Sequence, residues 1–187
     1  STIVVLAGTA SHAVSLFAVG DLLNETNETV VIDITAVQNG IEANLITGGE
    51  RQTVTIMDDD FQPGVELSVG SPTINENVGK TAVTATLTAL SGQDITVTLV
   101  TSGTATTALD YNLNSTTILV PKGAISASVT LTAVSDTLDE NNEAVVIEIT
   151  SVTNAQEVGE QQKTVTITDD DLPPTVTLSS EFPQINE

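Results

Sequence analysis

Two sets of acidic residues recur in one frame along this chain. The first is Asp21, Glu25 and Glu28, followed by Asp58-Asp59-Asp60. The second is Asp136, Glu140 and Glu143, followed by Asp169-Asp170-Asp171. In both, the leading acids read D-x-x-x-E-x-x-E, and the Asp triplet ends a run of alternating Val, Thr and Ile. Grouped carboxylates can move protons or hold a hard cation. Cleaving a glycoside would need one acid kept protonated beside an ionised partner, and a dense set of ionised acids does not supply that. Calcium takes six to eight oxygens from carboxylates, carbonyls and water. Two carboxylates about 4 Å apart repel by roughly 4 kcal/mol at an effective dielectric near 20, so such a cluster needs a divalent ion to hold together. Magnesium fits less well, because it demands tight octahedral geometry and keeps its waters. Glu76 and Asp110, in Leu109-Asp110-Tyr111, are further acids placed to join the second set.

The elements that position these acids are themselves repeated. Residues 3–39 align without gaps on 118–154, with 20 of 37 positions identical. After a loop that differs by four residues, Thr53-Val54-Thr55-Ile56 falls on Thr164-Val165-Thr166-Ile167. Residues 63–76 then match 174–187, ending in Ile74-Asn75-Glu76 on Ile185-Asn186-Glu187. The period from Asp60 to Asp171 is 111 residues. The chain therefore divides into the closing half of one module (1–60), a complete module (61–171) and the opening strand of a third (172–187). Phe61-Gln62-Pro63-Gly64 and Leu172-Pro173-Pro174 read as tight, proline-stiffened linkers.

Apolar residues alternate with Thr and Ser throughout the complete module, the period of a half-buried strand. The pattern predicts about seven strands, near 64–70, 80–90, 93–102, 116–120, 125–134, 143–153 and 162–169. Ser91-Gly92-Gln93-Asp94 and Pro121-Lys122-Gly123 carry turn chemistry. No stretch shows a helical period. The expected fold is all-β: antiparallel, immunoglobulin-like sandwiches in tandem. In a sandwich, strand ends collect at two poles, so acids distant in sequence can meet there.

Composition narrows the partners. The chain carries 25 acids against four bases, Arg51, Lys80, Lys122 and Lys163, for a net charge of −21. Nucleic acids and anionic membranes are excluded as partners, because both need clustered Lys and Arg. Hydrophobic residues make up 40%, too many for charge-driven disorder. There is no cysteine, which removes disulfides, zinc–thiolate sites and thiol catalysis. No apolar run approaches the roughly 20 residues of a membrane helix, and no signal peptide opens the chain. Its first residues already look strand-like, as in a piece of something longer.

Several motifs in order resemble the Calx-beta family, a β-sandwich module of sodium–calcium exchangers and bacterial surface proteins. They are Ile74-Asn75-Glu76-Asn77-Val78-Gly79, Leu109-Asp110-Tyr111, Val120-Pro121-Lys122-Gly123, the segment from Asp136 to Glu143, and Val165 through Asp171. The resemblance covers 61–171 and implies calcium binding at one pole. The implied ligands are Glu76, Asp110, Asp136, the Leu138 carbonyl, Glu140, Glu143, Asp169, Asp170 and Asp171. In the partial module they are Asp21, the Leu23 carbonyl, Glu25, Glu28, Asp58, Asp59 and Asp60. The fullest family sites carry one more Asp, where this chain has Ser135 and Gly20, so one or two ions per module are expected. The partial module lacks the opening Glu and the D-Y acid, so its site is expected to be weaker or empty.

Competing functions have thinner support. His12 is the sole histidine and aligns with Ala127, without a nucleophile motif beside it. Thr84-Ala85-Thr86-Leu87-Thr88 could form a hydroxyl array for sugar contact, but Thr simply suits an exposed strand face. A regulatory calcium sensor is the remaining alternative. The expectation is a non-enzymatic, calcium-rigidified repeat segment of a large adhesin, surface fibre or filament, extracellular or on a bacterial surface. Its partners would be calcium, neighbouring modules and other copies.

Overall fold

The computed structural model describes residues 1–41, 51–179, 181 and 184. It divides into two units, Ser1–Asp60 and Phe61–Glu187.

In the second unit, apolar alternation becomes two facing sheets. One contains β3 (Gly64–Val69), β5 (Lys80–Leu87), β7 (Tyr111–Leu113), β9 (Ser126–Ala133) and β11 (Gln156–Glu157), in the order β11-β3-β5-β9-β7. The other contains β4 (Thr73–Asn75), β6 (Ile95–Gly103), β8 (Thr117–Val120), β10 (Glu143–Thr153) and β12 (Gln162–Thr168), in the order β4-β12-β10-β6-β8. Alternate residues point inward: Val83, Ala85 and Leu87 from β5, Val129, Leu131 and Ala133 from β9, Val145, Ile147 and Ile149 from β10. This is the period-2 burial of a sandwich, with Thr and Ser on the outer faces.

All seven expected strands are present. Three short ones, β4, β7 and β11, join them. The sheets are also not wholly antiparallel, because β4 runs parallel to β12 and β11 parallel to β3. The opening strand is split: β3 lies in one sheet, and three residues later the chain enters the other as β4.

The first unit holds one antiparallel hairpin, β1 (Glu28–Asp33) with β2 (Arg51–Ile56), in register Val30↔Val54. These are the counterparts of β10 and β12. Residues 3–20, the counterparts of β8 and β9, form no strand. The tail expected as an opening strand likewise forms none among its described residues, and Val176 and Leu178 are fully solvent-exposed. The part of that match at Ile185-Asn186-Glu187 lies outside the described residues. Among the described residues, no helix is long and apolar enough to cross a membrane.

Candidate metal centre

Strand direction gathers the acids of the second unit at one pole. β4 and β12 run parallel, so Glu76 follows one and Asp169–Asp171 follow the other at the same end. β10 runs antiparallel to β12 and starts there, with Glu143↔Ile167. The end of β6 meets the start of β10 at Gly103↔Val145. β7 pairs the residue after Asp110 with the end of β9, at Tyr111↔Ala133, and this brings Asp110 towards the loop carrying Asp136 and Glu140.

Local hydrogen bonds fix each loop. The Glu76 amide donates to the Thr168 carbonyl (3.0 Å), and the Glu76 Oε1 accepts the Asp136 amide (2.9 Å). Asp136 Oδ1 accepts the Leu138 amide (2.7 Å), forming an Asx turn. Asn142 Oδ1 accepts the Asp169 amide (3.2 Å). Asp110 Oδ2 accepts the Thr106 amide (2.5 Å), and Thr104 Oγ1 accepts the Ala144 amide (2.8 Å). The last contact depends on Gly103, whose φ is +121° and where a Cβ would stand 2.1 Å from the Ala144 carbonyl oxygen. Only glycine fits that approach.

Two groups of three carboxylates result. Glu76, Asp169 and Asp171 each offer an oxygen within 4.8 Å of the others, and so do Asp110, Glu140 and Glu143. Glu76 is buried. The Asp136 amide bond lowers its pKa, but burial and the charges of Asp136, Asp169 and Asp171 outweigh that and leave it raised. Desolvation pushes Glu143 up to about 7, aided by a side-chain hydrogen bond and charge repulsion from Asp110. Glu140 and Asp171 are raised by desolvation and then by neighbouring acids. The site as it stands is a field of unbalanced negative charge.

The donor set fits a hard cation. Asp169 Oδ1 is buried with no hydrogen-bond partner. A buried carboxylate oxygen without a donor is costly, and a cation on the same recess would complete it. Glu76, Asp110, Glu140, Glu143 and Asp169 line that recess together. Six of the nine ligands expected in this module thus fall into the two groups. Asp136 stands beside them, its Oδ1 taken by the Leu138 amide, and neither it nor the Leu138 carbonyl belongs to either group. Asp170 is exposed and outside both. The supporting asparagine was missed by sequence reasoning, although Asn142 has its identical counterpart in Asn27.

The first unit repeats the scaffold. Asp21 Oδ1 accepts the Leu23 amide (2.8 Å), and Asn27 Oδ1 accepts the Asp58 amide (3.0 Å). Asp21, Leu23, Glu25, Glu28, Asp58, Asp59 and Asp60 line one recess. No group of three converging carboxylates forms among the described residues of this unit. Asn24 replaces Asp139 of the other copy. It is buried, and its Nδ2 donates to Asp58 Oδ2 (3.0 Å) and to the Asp60 carbonyl (3.2 Å). An amide proton therefore sits against the triplet. Asp60 is still raised, by desolvation and by Asp59, Asp58 and Asp21.

A two-sheet β-sandwich with paired carboxylate groups at one pole is the architecture of a calcium-binding β domain. The model of the Calx-beta domain matches residues 58–171, and the chain belongs to the Calx-beta family. Its cofactor is accordingly calcium. An apo-form Calx CBD1 domain is similar in fold, with a TM-score of 0.51 and 21% identity over 58% of this chain and 99% of that one. CBD12 from CALX1.2 gives a TM-score of 0.48 and 23% identity over 53% of this chain. The match spans only 41% of CBD12. Comparison with curated proteins finds no match.

Proposed function

We propose that this chain is a calcium-rigidified, non-enzymatic repeat segment of a large extracellular adhesin, surface fibre or filament, carried on a bacterial surface. One observation supports it most. Glu76 closes the opening strand and Asp169 and Asp171 close the final one, and their carboxylates converge. An ion held by these three ties the start of the module to its exit, directly before Leu172-Pro173-Pro174. The second group, Asp110, Glu140 and Glu143, would hold a second ion and lock the loops before β7 and β10. When bound, calcium supplies positive charge and oxygen coordination. The chain's own residues supply the frame, through the Asp136–Leu138 turn and the Asn142 bracket on Asp169. Recurrence of the scaffold in residues 1–60 supports a tandem array, in which neighbouring modules are the natural partners. The strong negative charge suits a crowded saline exterior, where it keeps copies apart.

Extracellular modules bind calcium with dissociation constants of about 10⁻⁴–10⁻³ M. Isothermal titration should give two ions in the complete module, and Glu76→Gln and Glu140→Gln should each remove one. Absence of any calcium-binding heat at millimolar ion, with melting unchanged by chelator, would overturn this reading.

A further inference from the structure

The loop from Asp136 to Glu143 carries four acids, and one of them, Asp139, has no part in the site described above. It is exposed and belongs to neither carboxylate group. Its place in the loop is nevertheless fixed. The turn made by Asp136 Oδ1 on the Leu138 amide (2.7 Å) ends directly before it, and Asn142, three residues on, holds the Asp169 amide (3.2 Å). The loop is thus tied on both sides of Asp139. Desolvation, then Asp169, Asp170 and Asp136, and last Asp139, push the Asp171 carboxyl up, so the Asp139 charge is felt at the triplet.

The first unit shows how far a side chain at this place reaches. The Asp21–Leu23 turn (2.8 Å) and the Asn27–Asp58 bracket (3.0 Å) are the same two ties, and Asn24 lies between them as Asp139 does. Asn24 is buried, and its Nδ2 donates to Asp58 Oδ2 (3.0 Å) and to the Asp60 carbonyl (3.2 Å). Asp58 and Asp60 are the counterparts of Asp169 and Asp171. Asparagine and aspartate have nearly the same shape. They differ in that the amide donates hydrogen bonds, whereas an ionised carboxylate only accepts them. Asp139 therefore meets repulsion where Asn24 meets acceptors. A cation between carboxylates reverses that sign.

We propose that Asp139 is a further calcium ligand, a carboxylate added from the solvent side to the ion of Glu76, Asp169 and Asp171. Residue 139 then sets how the triplet is neutralised: by a divalent ion where it is Asp, by a side-chain amide where it is Asn. The inference rests on the calcium reading above. An added carboxylate raises the charge count of the ligands, which tunes affinity at such sites, and closes the outer side of the ion to water.

The test uses the whole chain in a Glu140→Gln background, which leaves this ion alone in the complete module. Asp139→Ala should weaken calcium binding in isothermal titration by about 10-fold, at the low end for losing a supporting group at a metal site. The loss should persist in high salt, which screens a merely nearby charge. With terbium in place of calcium, luminescence lifetimes in light and heavy water should count an additional water on the ion. Asp139→Asn should melt higher in chelator than Asp139→Ala, because its amide can donate to Asp169 and Asp171 as Asn24 does to Asp58 and Asp60. Calcium binding that is unchanged in Asp139→Ala, or a loss that vanishes in salt with the water count unaltered, would overturn the ligand role and leave the calcium reading intact. No calcium binding by the chain before Asp139 is altered would overturn both.

Discussion

Residues 3–39 and 118–154 share 20 of 37 positions and the same alternation, yet they fold differently. Leu131 is fully buried in β9, whereas its counterpart Leu16 is 50% exposed. Ile147 is fully buried in β10, whereas Ile32 is 46% exposed in β1. The alternation is the same in both copies; the available neighbours differ. β8 and β9 pair with β6 and β5, and residues 1–60 contain no counterpart of either. Only the β10 and β12 equivalents find each other, as β1 and β2. An isolated two-stranded hairpin is marginally stable in water. Period-2 patterning therefore specifies which face will be buried, and a partner strand decides whether it is.

Truncation of matched apolar residues should separate the two copies most widely. Leu131→Ala should destabilise the complete module by about 2–5 kcal/mol, whereas Leu16→Ala should change the unfolding of the same chain by under about 0.5 kcal/mol, as for an exposed site. Denaturant unfolding read by tryptophan-free probes such as far-UV dichroism would show both; equal losses would mean the copies are packed alike. Calcium comes next. At 100-fold excess over its dissociation constant one ion adds about 2.7 kcal/mol, so melting of the complete module should rise clearly. Asp169→Asn should erase much of that rise, and Asp58→Asn should leave it nearly intact. Asn24→Ala follows, with a loss of about 1–3 kcal/mol expected for stripping a buried amide from a carboxylate. It should be visible as faster amide exchange in β1 and β2 and silent in β10 and β12.

The smallest effect is a pH dependence. The Glu143 pKa is raised in the folded, metal-free state to about 7, from 4.5. The folded state then binds the proton more tightly than the unfolded chain. The resulting stability is fully present below about pH 4.5 and is lost as pH rises through about 7. In chelator, the melting temperature should fall between those values. Calcium competes with that proton, so apparent affinity should grow over the same interval. A flat profile in chelator would show that Glu143 ionises normally.

Much of this was legible in the sequence. The seven longer strands follow from alternation, and Glu76, Asp110, Glu140, Glu143, Asp169 and Asp171 follow from acids at strand ends. β4, β7 and β11, at two or three residues, are too short to show a period. The parallel pairing of β4 with β12 is a long-range choice that no local pattern carries. Asp170 could not be told from its neighbours because all three read alike; in the structure it is exposed, whereas Asp169 and Asp171 are half-buried. Asn142 was overlooked because its role is to hold Asp169 rather than to carry charge.

The parallel run of β4 beside β12 also has a mechanical meaning. The opening segment of the module is drawn from its N-terminal side and the closing strand from its C-terminal side. Tension along the chain therefore pulls these two strands past each other. Their three paired rows must yield together, as in a lap joint, not peel one after another as in a hairpin. Glu76 and Asp169 sit at the end of that joint, where a shared ion would act as its rivet.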